Sequence, residues 1–115
     1  MYSVVSAFIQ WLNSLGFDAH SYPPNDSTEF VTVERTGGGV VDMVDRPALA
    51  IQTWAQTETR AEDMANAIRY ALLTGELPGG VHSVSINTGA YRFYDDETRL
   101  PRFQLYIDVV SQLTD

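Results

Sequence analysis

A chain of 115 residues, 44% of them hydrophobic, fits one domain (1–115) with a single core and leaves no room for two. Seven cationic residues, all arginine, face fifteen acidic ones; the resulting charge of −8 disfavours sequence-specific or tight nucleic-acid binding. Cysteine is absent, which excludes disulfides and thiolate metal sites, and no apolar run approaches the ~20 residues of a membrane span.

From Tyr2 to Leu15 the apolar positions Val4, Val5, Phe8, Ile9, Leu12 and Leu15 share one helical face, with Gln10, Asn13 and Ser14 opposite and Gly16 as the stop. This segment lacks a basic leader and a small-residue cleavage site, so it reads as a first helix of a soluble protein and not as a signal peptide. The stretch FDAHSYPPNDS, with Pro23-Pro24 and an Asn-Asp-Ser cluster, prohibits helix and predicts an extended loop. Residues 29–35 alternate as a short β-branched strand that ends at Thr36 and Gly37-Gly38-Gly39, where a flexible loop is expected. VVDMVD follows, apolar but carrying Asp42 and Asp45. Such a loop either reaches a partner or folds back.

The organising unit comes next. Ala48, Leu49, Ala50, Ile51, Trp54 and Ala55 predict a mostly buried central strand entered through Pro47. After a polar break, Ala61, Met64, Ala65, Ile68, Ala71 and Leu72 recur three and four apart and form one stripe of a second helix. Three alanines in that stripe let the helix lie close to a sheet. Thr59 with Glu62 fits a capping box, Thr57 is an alternative start, and Gly75 is expected as a left-handed C-terminal residue.

Pro78-Gly79-Gly80 turns the chain into a long strand near 81–94, with Val84, Ile86, Thr88, Tyr91 and Phe93 as pleat positions and Gly89 as a bulge or bend. Residues 95–101 read as a hairpin loop. The last strand alternates Phe103, Leu105, Ile107 and Val109 against Gln104, Tyr106 and Asp108. The order helix, strand, strand, helix, strand, strand predicts an α+β fold: a mainly antiparallel sheet of about four strands with two helices packed on one face.

Three stretches, FVTVERTGGG, VDRPALAIQTWAQTETRAEDMANAIRYALL and YDDETRLPRFQLYIDVVSQ, together resemble the tail terminator, or tail completion, proteins of long-tailed bacteriophages and prophages, especially in phages of actinobacteria. The resemblance implies a virion structural protein with no reaction, cofactor or metal, assembled in the host cytoplasm. It implies a homo-oligomeric ring, commonly hexameric, at the head-proximal end of the tail tube. That ring halts polymerisation of the tube protein and offers a surface to the head-completion or neck proteins. Six copies would together carry about −48, which lets DNA slide through the ring without sticking. Loops are the expected places for interface or channel contacts, which selects Gly37, Gly38, Gly39, Asp42, Asp45, Arg46, Asp95, Asp96, Arg99 and Arg102. The alternatives are a neck or head-completion connector, and a host cytosolic ligand-binding α+β module.

Other motifs point to ordinary roles. Asp18 and His20 form a D-x-H pair without a third metal ligand at motif spacing. His82 has no nucleophile signature around it. The three glycines lack the helix N-terminus that a phosphate cradle needs, and 95–97 lack calcium-loop spacing. Trp54 reads as core, with an interface role as the alternative; Arg46, Arg99 and Arg102 suit pairing either across subunits or within the chain.

Overall fold

A computed structural model describes residues 2–93 and 100–113, with side chains described for 2–87 and 100–113. Ser3 opens helix α1 (Val4–Ser14) by accepting the Ser6 N–H on its hydroxyl, and the predicted stripe buries Val4, Phe8 and Leu12. Helix α2 (Glu58–Thr74) buries Ala61, Met64, Ala65, Ile68 and Leu72. Its cap is Thr57, whose hydroxyl accepts the Arg60 N–H at 3.2 Å, so the alternative start holds and Thr59 lies inside the first turn. Gly75 is not left-handed. At φ −97° and ψ −174° it is extended, and its N–H closes the last turn on the Ala71 carbonyl at 2.8 Å.

Among the described residues five strands form one sheet: β1 (Ala19–His20), β2 (Phe30–Val41), β3 (Val44–Trp54), β4 (Val81–Phe93) and β5 (Arg102–Ser111), in the order β1-β2-β3-β5-β4. The organising strand is central, as expected. All pairings are antiparallel except β1 with β2, a two-residue parallel pairing made by the segment expected as loop. Along the central ladder Val33 lies beside Ile51 and Ile51 beside Leu105, while Leu49 lies beside Ile107. These side chains share one face with Val31, Phe103 and Val109, and both helices pack on it to make the main core. The fold is therefore α+β, with a five-stranded, mainly antiparallel sheet and two helices on one side. Inside the core, the one buried hydroxyl of β3, on Thr53, donates to the Ala61 carbonyl at 2.7 Å and ties strand to helix.

The largest departure from expectation is the glycine stretch. Residues 36–45 are not a flexible loop: they continue β2 and β3 as one long hairpin, closed by a two-residue turn at Asp42 and Met43. Both turn residues have positive φ, 53° and 65°, the pattern of a type I′ turn whose twist matches the strands it joins. At Gly38 the reason for glycine stands across the ladder. Thr36 is the extra residue of a bulge, and Gly38, at φ +91°, pairs with Pro47. A Cβ on Gly38 would overlap the Arg46 carbonyl oxygen and lie 2.7 Å from the Pro47 Cα. Glycine is required there by close backbone approach, not by flexibility. The expected hairpin loop at 95–101 lies outside the described residues up to Arg99.

Candidate functional site

The hairpin carries six of the ten residues expected at an interface or channel: Gly37, Gly38, Gly39, Asp42, Asp45 and Arg46. Every residue from 34 to 43 is exposed. A salt bridge fixes the root of this arm: Arg35 Nη1 and Nη2 donate to the two carboxylate oxygens of Asp45 at 2.8 and 2.9 Å, a bidentate pair. The same guanidinium donates to the Gly37 carbonyl at 3.2 Å, holding the bulge. The Arg35 hydrogen bond holds the Asp45 carboxyl below its ordinary pKa, against a smaller opposing effect of burial. Asp45 is thus neutralised inside its own hairpin, while Asp42 is exposed at the turn.

At the tip stand Val40, Val41 and Met43, which are 54%, 51% and 76% exposed. These three were not among the expected site residues. The signal was present in VVDMVD, as apolar side chains flanking a turn where solvated residues are the norm. Met43 also holds an αL backbone that glycine or asparagine adopts more cheaply. Exposed apolar side chains on a turn of that kind suit a contact with another surface.

Arg102 lies elsewhere. On the sheet face opposite the helices, Phe30 and Trp54 stack with centroids 5.2 Å apart, and the Arg102 guanidinium sits 4.4 Å from the Trp54 ring centroid. Beside them the Trp54 indole donates to the Thr32 hydroxyl at 3.1 Å, Thr32 donates to Gln52 at 3.2 Å, and Gln52 donates to Gln104 at 2.6 Å. Phe30 and Trp54 are each 1% exposed, so this is a second, polar-rimmed core and Arg102 serves it from within the chain. Asp95, Asp96 and Arg99 lie outside the described residues.

A groove of about 560 Å³ runs between α1 and the turn before β4, walled by Tyr2, Ser6, Trp11, Leu77, Gly80 and Gln112 among others. None of the described lining residues is charged. The Trp11 indole braces it by donating to the Glu76 carbonyl at 2.8 Å. Tyr2 also lines a smaller cavity of about 240 Å³ against Arg35 and Asp45, so the groove adjoins the root of the arm. Burial first, and the Asp45 charge second, push the Tyr2 hydroxyl above its ordinary pKa.

The histidines do not build a centre. His20 Nε2 lies 2.8 Å from the Asp18 carboxylate, and His82 is exposed on β4. Among the described residues no group of three or more His, Cys, Asp or Glu could hold a metal ion, and no helix is long and apolar enough to cross a membrane. No protein-family model matches the chain, and no curated protein matches it at a significant level.

Proposed function

We propose that this chain is a phage tail terminator: a virion structural protein that assembles into a ring on the head-proximal end of the tail tube, stops its growth and presents a surface for joining the head. The observation that carries the reading beyond the resemblance is the long β2–β3 arm with an exposed apolar tip, standing on an α+β body. An arm of this kind serves protein contact, and the described residues offer no convergent set of ionisable groups for chemistry. Capping is then a matter of surfaces. One face repeats the stacking contact of the tube, and the other lacks the surface that a further tube subunit needs.

The charge distribution fits the same reading. Within 35–46, Arg35 and Arg46 balance Asp42 and Asp45, so the net −8 of the chain resides entirely outside the arm. A ring of such bodies presents an acidic surface to passing DNA.

Electron microscopy of tails assembled without this protein tests the proposal. Overlong tubes without joined heads, cured by adding the purified protein during assembly, are the expected result. Tails of normal length that fail to join would overturn capping and favour a neck connector.

A further inference from the structure

The long strands β2, β3, β5 and β4 meet at seams that are aligned by different means. Between β2 and β3 the two-residue turn at Asp42 and Met43 and the bulge at Thr36 set the pairing. The β4–β5 seam carries register shifts between Val81 and Ser83, Ile86 and Thr88, and Thr88 and Tyr91. The β3–β5 seam has neither device. Helix α2 and strand β4 separate its two strands in the chain, and its pairs keep one alignment from Ala48 beside Asp108 to Trp54 beside Arg102. The helix-side pattern does not choose that alignment by itself. A slip of one residue would turn every side chain to the wrong face, but a slip of two keeps the faces. It sets Ile51 beside Phe103 or Ile107 instead of Leu105, apolar against apolar.

The other face does choose. Thr32, Gln52 and Gln104 stand in one row across β2, β3 and β5. Gln52 Oε1 accepts from Thr32 at 3.2 Å and from Arg102 Nη1 at 3.4 Å, and its Nε2 donates to Gln104 Oε1 at 2.6 Å. Gln104 is 3% exposed and Thr32 5%, so water does not replace these bonds. A two-residue slip carries Gln104 away from Gln52 and sets Arg102 or Tyr106 opposite it. Breaking a buried amide pair in this way costs more than the bond contributes when made.

We propose that the Gln52–Gln104 pair is a register lock: it holds β5 against β3 in one of the alignments that the apolar pattern permits. Buried polar residues select one register in coiled coils by the same means, at a cost in stability. The lock stands independently of the ring reading.

NMR of the whole chain tests it. Gln52→Met with Gln104→Met keeps side-chain volume and removes both amides, so that neither is left without the other. The expected spectrum is that of a folded protein with a second set of amide signals for 48–54 and 102–108, at about a tenth of the native set or more. Cross-strand contacts in that set should place residue 52 beside 102 or 106. A single set with 52 beside 104 overturns the lock. So does a double variant that fails to fold, since the pair then supplies stability and not register. Gln104→Glu keeps an oxygen for the Gln52 amide and is expected to hold one alignment; a mixture in that variant also overturns the lock.

Discussion

The β2–β3 hairpin is one continuous ladder with two fates. In its inner half, Val31, Val33, Ile51 and Leu49 lie under two helices while Phe30, Thr32 and Trp54 fill a second core on the other side. In its outer half the same two strands carry glycines, a bulge, a bidentate salt bridge and an exposed tip. Backbone pairing is common to both, so it does not distinguish them. What differs is the backing. The inner half draws its stability from burial on two faces, and the outer half has its turn geometry and the Arg35–Asp45 bridge to keep its shape.

The largest effect is expected where both faces are buried. Trp54→Ala removes the ring that stacks on Phe30, carries Arg102 and donates to Thr32, and should cost about 3–5 kcal/mol of global stability in denaturant unfolding. If it instead cost no more than an exposed substitution, the second core would not be a core. Gly38→Ala should cost about 1–2 kcal/mol for its positive φ alone, with more from the overlap at Arg46. Its loss should appear as faster amide exchange in 37–47, and a uniform loss of protection across the sheet would join the arm to the global fold.

Met43→Gly sharpens the comparison from the other side. Relieving an αL backbone at the turn should strengthen the arm by about 1 kcal/mol while weakening the proposed contact at its tip. Stability and contact would then move in opposite directions, as fits a tip shaped for contact. The smallest effect is that of pH. The folded pKa of Asp45 lies below its ordinary value of 3.8, so the bridge contributes fully above that value and is lost as pH falls through the folded pKa. Amide protection in the arm should therefore fall in that acid window before the inner strands respond. An arm unchanged there would show that the turn alone holds it.

Two helices, the central strand and the last strand were legible because their patterns are local. A 3.6-residue stripe of Ala61, Met64, Ala65, Ile68 and Leu72, or the strict alternation from Phe103 to Val109, is written in neighbouring residues. The cap was legible only as a choice between Thr57 and Thr59, since both offer a hydroxyl near an acidic turn and the backbone conformation of Thr57 decides between them. The arm was half legible. Glycines and aspartates singled out the segment, but their usual meaning, a loose loop, hid an ordered hairpin and its apolar tip.

By itself the sequence determined an α+β chain with a buried central strand, a small-residue helix lying close to the sheet, and an acidic body without cysteine chemistry. Only the tertiary structure decided that Gly38 would stand against Pro47, that β2 would run on to Val41, and that Trp54 and Arg102, distant in the chain, would meet on the far face of the sheet. The physical reason is that a strand is completed by its partner. Period and capping act over one turn or one pleat, whereas the fate of a glycine or an arginine in a sheet depends on the residue across the ladder, which no local pattern contains.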